Sequence, residues 1–326
     1  MKTVKIDFVG FWGSFKKDDN LFTRILSKKF KVEISDDPDF VICSNRGYAF
    51  EYMKYDCARI IFMGENMSPD FTVFDYCIGF DYMDFGDRYF RMPFAFYFDN
   101  AKPWIPEILS YEKAKEINNA KKYFCNFIYG HQSSHGMREK LFEELNKYKR
   151  VDSPGSFLNN VNSSKKRCSW AEKNEYLIAS KFTIAGDSIT YPGFVTEKIV
   201  QPFMLHSVPI YFGNPKIDDY FNKDAFIWCT SETNLAKTVE EVAYLDTHDD
   251  AYIEMLMQCP LRDINFVVEL YNKLEAFLFN IFEQDPEDAI RRVRYFCAEN
   301  HEKFLREYYK KDKKTPDFIK KIKGIL

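Results

Sequence analysis

Short runs of consecutive apolar residues alternate along this chain with longer stretches in which apolar positions recur every three or four residues. The first pattern predicts strands and the second amphipathic helices. In the first half, strands are expected at 3–9, 39–44, 58–63 and 76–80, with a helix at 20–30 between the first two. Pro103 and Pro106 interrupt the pattern over 99–110, which reads as a linker, and a helix follows at 110–123. The alternation then resumes. A strand is expected at 125–129, helices at 136–148 and 170–179 on either side of a loop at 152–168, and a strand at 181–186. Next come a helix opened by Glu197, strands at 208–212 and 225–229, and helices through 235–284. Strands alternating with helices predict an α/β fold with parallel sheets. Two such runs joined by a Pro-bearing connection predict two Rossmann-like domains facing a cleft, with ligands at the carboxyl ends of the strands. The expected division is 1–108, 109–285 and a basic helical tail at 286–326.

Composition narrows the class. The 326 residues are 46% hydrophobic and 29% charged, enough to bury a sizeable core and unlike a disordered chain. The net charge of −3 gives no general attraction to nucleic acid. Eight cysteines are scattered without a C-x-x-C pair, which argues against a disulfide framework or a zinc site and for reduced thiols. The 33 Phe and 21 Tyr are mostly core material, although aromatic faces also suit packing on sugar C–H groups. No apolar run reaches membrane-spanning length and no leader pattern precedes the first strand, so a cytoplasmic protein is expected if the chain is complete.

The candidate chemistry concentrates in Tyr191-Pro-Gly-Phe-Val-Thr-Glu-Lys-Ile199 and Val208-Pro-Ile-Tyr-Phe-Gly-Asn-Pro215. A Pro-Gly turn leads into a helix whose first turn carries Lys198. Unpaired N–H groups, the helix dipole and a cation together make a seat for phosphate. In the first half, Glu65 follows Gly64 at the end of an apolar strand. Local sequence leaves it equally a proton-abstracting base or a cap for the turn after it. Asp37-Pro-Asp39 has the form of a metal-binding D-x-D but reads as a turn at a strand start. His131 and His135 lie four apart with no third ligand nearby, which disfavours a metal site.

These segments resemble the signature of α1,3/4-fucosyltransferases, the bacterial, Helicobacter-type members of glycosyltransferase family 10. Matching blocks are Phe62-Met-Gly-Glu-Asn-Met-Ser-Pro-Asp-Phe71, Phe74-Asp-Tyr-Cys-Ile-Gly-Phe-Asp81 and Arg88-Tyr-Phe-Arg-Met-Pro-Phe94. Met137-Arg-Glu-Lys-Leu-Phe-Glu-Glu-Leu145 and Lys149-Arg-Val-Asp-Ser-Pro-Gly155 also match, and the resemblance runs from about 58 to 260. It implies a GT-B fold and inverting transfer of L-fucose from GDP-fucose, with the acceptor in the N-terminal domain and the donor in the C-terminal one. The usual acceptor is the GlcNAc 3-hydroxyl of Gal-β1,4-GlcNAc, giving Lewis-X-type glycans, here on a lipid-linked or other oligosaccharide. Glu65 then matches the general base, with Asn66 and Asp81 on the acceptor side. Arg138 and Lys198 would meet the diphosphate, each being otherwise an ordinary surface cation. Glu197 would bind sugar hydroxyls or simply complement the helix dipole. Asp187, Ser188, Tyr191, Gly193 and Phe194 complete the donor set.

The donor margin departs from the family pattern. Asp187-Ser188 stands where Glu-Asn is usual, Phe194 lacks a tyrosine hydroxyl, and a cation usual in the 156–160 loop is absent. Pro202 should kink its helix. These departures keep two alternatives open: another nucleotide-sugar donor, or a glycan-binding protein with a decayed donor site. A nucleotide-binding regulator is disfavoured by the Gly64-Glu65-Asn66 block. No cofactor is expected to be required, with Mn²⁺ or Mg²⁺ at most a stimulant. Lys320, Lys321 and Lys323 among apolar residues suit either peripheral contact with the inner membrane face or a solvated helix end.

Overall fold

The computed structural model describes residues 1–45, 50–134, 136–161, 168–292 and 295–314. The chain divides into two compact units. In the first, strands β1 (Thr3–Val9), β2 (Lys31–Ile34), β3 (Phe40–Ser44), β4 (Ala58–Phe62), β5 (Tyr76–Gly79) and β6 (Tyr89–Arg91) form one parallel sheet of order β2-β1-β3-β4-β5-β6. β3, β4 and β5 are buried along their whole length, as continuous apolar runs require of strands covered on both faces. The order reverses between β1 and β3, and at such a switch point the loops diverge to leave a crevice. Register pairs Ser44 with Phe62, so the segments after β3 and β4 emerge together.

The expected helix at 20–30 is only α1 (Leu21–Leu26), fixed by the Asn20 capping box, and residues 27–30 turn the chain into β2. Both β2 and β6 escape the apolar pattern because they are short edge strands, and β2 has no buried position. Asp37 and Asp39 stand in the turn before β3, where Asp39 Oδ2 accepts a bond from the Lys5 amide.

The second unit begins its main run with α2 (Tyr111–Ala120), β7 (Tyr123–Asn126), α3 (Met137–Tyr148), β8 (Val151–Asp152), α4 (Trp170–Ala179) and β9 (Ser180–Gly186). It continues with α5 (Glu197–Met204), β10 (Val208–Phe212), β11 (Ile227–Trp228), α6 (Leu235–Thr247) and α7 (Asp249–Met257). Its parallel sheet has the order β11-β10-β9-β7-β8, with the switch point between β7 and β9. Phe127, Leu141, Phe182, Ile184, Ile210 and Tyr252 are core residues around it. The expected strand at 125–129 lies two residues earlier, and the two-residue β8 is too short to leave a periodic trace. Pro202 ends α5 early: the helix stops at Met204, and the Pro202 carbonyl accepts from the Leu205 and Ser207 amides.

The expected boundaries at 108 and 285 differ from the units. Pro93–Phe96 belongs to the second unit and Tyr97–Pro103 to the first. The long α8 (Ile264–Glu283) starts in the second, but from Val268 onward the chain, including α9 (Phe296–Lys314), belongs to the first. A buried charge network explains the return. Asp75 Oδ1 accepts from the Arg291 and Arg292 amides, both at 2.7 Å, and Oδ2 from the Arg59 amide at 2.7 Å and from the Arg292 guanidinium. Glu302 on α9 pairs with Arg59 at 2.8 Å and with Arg306 at 2.7 Å. Among the described residues no helix is long and apolar enough to cross a membrane. The lysine-bearing end at 319–326 lies outside the described residues.

Breaking one member of such a network leaves its partners charged and buried. Asp75→Asn turns an acceptor of four bonds into a group with an amide facing N–H donors. We expect it to lower unfolding free energy by about 3–5 kcal/mol in urea titrations. A loss below about 1 kcal/mol would mean that the network does not hold the C-terminal segment.

Candidate active site

In the second unit the chemistry gathers at the carboxyl ends of β7, β9 and β10, where the topology places it. Tyr191, Pro192, Gly193 and Phe194 form a turn closed by a 3.1 Å bond from the Phe194 amide to the Tyr191 carbonyl. Pro at the second position and Gly193 at φ +89° at the third are the requirements of a type II turn. Thr196 then caps α5, its hydroxyl accepting from the Lys198 amide at 3.4 Å. Lys198 Nζ lies 3.2 Å from the same hydroxyl and 3.4 Å from Glu197 Oε1, with both charged side chains part-exposed.

Asp187, just beyond β9, is 1% exposed, and neither oxygen is idle. Oδ1 accepts from the Thr196 hydroxyl at 2.5 Å and Oδ2 from the Tyr211 hydroxyl at 2.9 Å. Burial pushes its carboxyl up to about 6, against the pull of Lys198 and the two hydroxyls. Tyr211 in turn accepts from the Asn214 amide at 2.8 Å, and Asn214 Oδ1 accepts from the Gly193 amide at 3.1 Å. A Cβ at Gly213 would stand 2.5 Å from the Tyr211 hydroxyl and 2.7 Å from Asp187 Oδ2, so this network leaves room only for glycine there.

Arg138, in the first turn of α3, is 1% exposed rather than a surface cation. Its guanidinium lies 4.1 Å from the Tyr129 ring centroid, and Nη2 donates to the His131 carbonyl at 2.6 Å. Nε is buried without a hydrogen-bond acceptor, 3.6 Å from Glu139 Oε1. Burial alone would raise the Glu139 carboxyl, yet bonds from the Ser133 hydroxyl and amide, with the charge of Arg138, hold it below its ordinary value. The Ser188 carbonyl accepts from the Ser134 amide at 3.1 Å, which ties the loop after β9 to the loop after β7. Phe194 is 3% exposed, so its ring is core. His131 is exposed, and His135 lies outside the described residues, as do Lys165, Lys166 and Arg167, the cations next after the 156–160 loop in sequence.

In the first unit Glu65 is exposed on the segment after β4, and Asn66 is half-buried beside it. The Asn45 carboxamide brackets this segment. Its Oδ1 accepts from the Gly64 and Glu65 amides at 2.9 and 3.1 Å, and its Nδ2 donates to the Glu65 carbonyl at 3.2 Å. Asp81 is 8% exposed after β5, and its carbonyl accepts from the Tyr89 hydroxyl at 2.9 Å.

Residues 6–99 match the model of the alpha-(1,3)-fucosyltransferase FucT N-terminal domain, and residues 118–257 match that of the glycosyltransferase family 10 (fucosyltransferase) C-terminal domain. The chain belongs to glycosyltransferase family 10. The alpha-(1,3)-fucosyltransferase FucT of Helicobacter pylori is 29% identical over 325 residues, covering 86% of this chain and 66% of that protein. A crystal structure of an alpha1,3-fucosyltransferase superposes with TM-score 0.72 at 27% identity, over 90% of this chain and 93% of the other. The same kind of enzyme with GDP-fucose gives 0.68 at 26% identity, over 87% and 91%. The fold is therefore of GT-B type. In this family 10 chain, the segment 191–198 brings a turn, a capped helix start and Lys198 together at the strand ends of the second unit.

The sequence missed Thr196, Tyr211, Asn214 and Asn45, none of which titrates near neutral pH or stands out by spacing. It also passed over Lys173 on α4, whose Nζ donates to Gln201 Oε1 at 2.5 Å and whose basicity is lowered by burial while the charges of Glu197 and Lys198 act on it. Among the described residues no three His, Cys, Asp or Glu side chains gather as a metal site.

Asp187 titrates at 3.8 when ordinary and at about 6 when folded, so the folded state holds its proton more tightly. Its favourable contribution is complete below about pH 4 and is lost as pH rises through about 6, a change of about 3 kcal/mol at most. Asp187→Asn cannot ionise. Its stability relative to wild type should therefore rise between about pH 4 and about 7 in urea unfolding. A difference independent of pH would contradict the burial of an ionisable carboxyl there.

Proposed function

We propose that this chain transfers L-fucose from GDP-fucose to a glycan hydroxyl with inversion at the anomeric carbon. The convergence of turn, capped helix and Lys198 at the strand ends of the second unit carries this reading, supported by the likeness to a solved α1,3-fucosyltransferase with GDP-fucose. The chain spans 66% of the Helicobacter relative's length, and the activity is inferred on the part that is shared.

In the proposed step the Glu65 carboxylate takes the proton of the acceptor hydroxyl, whose oxygen forms a bond to fucose C1. The C1–O bond to the β-phosphate breaks, and GDP departs with both electrons. Lys198 and the α5 N-terminus meet the charge that develops on the diphosphate. Arg138 adds positive charge there, although one arm of its guanidinium is committed to the His131 carbonyl. Glu197 receives sugar hydroxyls. Glu65 is exposed and its backbone is bracketed by Asn45, which suits a base that meets its proton only when the acceptor arrives. Asn66 and Asp81 lie with it on the acceptor side. Cations of the protein balance the leaving group, so the reaction needs no metal.

The acceptor we infer is the GlcNAc 3-hydroxyl of a Gal-β1,4-GlcNAc unit, which gives a Lewis-X-type product on a lipopolysaccharide or similar glycan. A second reading, a different nucleotide-sugar donor, is favoured by one observation: Asp187 and Phe194, both expected at the donor, are buried. On α9, Phe296 and Phe304 are 66% and 63% exposed, which supports peripheral contact with the inner membrane face.

Incubation with GDP-fucose and a panel of type 1 and type 2 acceptors, with and without EDTA, tests the reading. Transfer to type 2 chains that survives EDTA is expected; binding of UDP in preference to GDP would favour the second reading. Glu65→Ala should abolish transfer with GDP affinity nearly intact, whereas Lys198→Ala should weaken GDP binding about tenfold or more. Loss of nucleotide affinity alone in both variants would remove Glu65 as base. Deletion of 315–326 should reduce binding to anionic vesicles, and unchanged binding would dismiss the membrane contact.

A further inference from the structure

We propose that Thr196 is a positioning residue whose hydroxyl couples the buried Asp187 carboxylate to the Lys198 ammonium and so fixes where that cation meets the donor's diphosphate. The inference rests on the donor reading above. Its physical basis is hydrogen-bond direction. A carboxylate only accepts and an ammonium only donates, while a hydroxyl has one proton to give and lone pairs to receive. Thr196 Oγ1 lies 2.5 Å from Asp187 Oδ1 and 3.2 Å from Lys198 Nζ. Its proton must therefore point to Asp187, which turns its lone pairs toward Nζ and toward the Lys198 amide at 3.4 Å.

The carboxylate end of this chain of bonds is anchored. Tyr211 donates to Asp187 Oδ2 and accepts from the Asn214 amide, so its proton is also committed. Asn214 Oδ1 accepts from the Gly193 and Lys216 amides, at 3.1 and 3.0 Å, which joins the turn before Thr196 to the same frame. Turn, carboxylate, hydroxyl and ammonium thus form one directed series, in which the hydroxyl protons of Thr196 and Tyr211 are both committed to Asp187. Removing the hydroxyl leaves Lys198 with Glu197, 3.4 Å away, and draws the cation toward a carboxylate assigned to sugar hydroxyls. Asp187 then acts on the donor through Thr196 rather than by touching it, which agrees with its 1% exposure.

The test is a thermodynamic cycle on GDP affinity by calorimetry, with thermal unfolding alongside. Thr196→Val should weaken GDP binding about tenfold, the loss of one bond to a charged group. Thr196→Ser, which keeps the hydroxyl, should stay within about twofold of wild type. In a Lys198→Ala background Thr196→Val should add less than about twofold, because the coupling acts through the missing ammonium. Should the valine variant not fold, Thr196→Gly, a residue accepted at helix caps, makes the same comparison. An equal loss with and without Lys198, or no loss in Thr196→Val, overturns the coupling while leaving the donor reading intact. A wild-type chain that does not bind GDP removes the donor reading and this inference together.

Discussion

A carboxylate taken out of water must find a donor for each oxygen, or its burial opposes folding by more than its contacts contribute. That constraint organises both units of this chain. In the first, Asp75 takes three backbone amides and a guanidinium, and in doing so attaches the segment around Arg291 and Arg292 to β4 and β5. In the second, Asp187 takes two hydroxyls, and those two hydroxyls lie on the cap of α5 and the end of β10. Each carboxylate joins pieces of chain that the apolar core alone would leave adjustable. Asp75 has a guanidinium among its partners and serves architecture, while Asp187 has only neutral hydroxyls and stands beside the cap of α5.

Much of the fold was legible because long parallel strands covered on both faces must be continuously apolar. β3, β4 and β10, buried at every position, announce themselves in this way, and the Pro-Gly turn before Glu197 announces α5. Edge strands carry no such signature: β2 is exposed to half-buried throughout, and β8 has two residues. The unit boundaries were illegible for another reason. They depend on Asp75 meeting Arg292 across more than two hundred residues, and no local pattern records such a pairing.

The site was legible in its charged members and opaque in its neutral ones. Lys198 and Glu197 stand where the motif places them, on the first turn of α5. Arg138 was named through the family resemblance, and its burial against Tyr129 could not be read from an amphipathic helix pattern. Asp187 was expected in the donor set, and in the structure both its oxygens accept from the protein's own hydroxyls. Thr196, Tyr211 and Asn45 matter through geometry, which composition and spacing do not encode.

The interleaving of the two units has a consequence for how such a chain can be recombined. Pro93–Phe96 lies in the second unit, Tyr97–Pro103 in the first, and α8 changes allegiance at Val268. No single cut separates one half from the other, because the first unit is completed by chain that follows the second. A hybrid that exchanges the second unit with that of a relative must therefore carry 93–96 together with 104–267 as an interrupted insert. It must also leave the host's own C-terminal segment in place, so that Arg292 and Glu302 come from the same parent as Asp75 and Arg59.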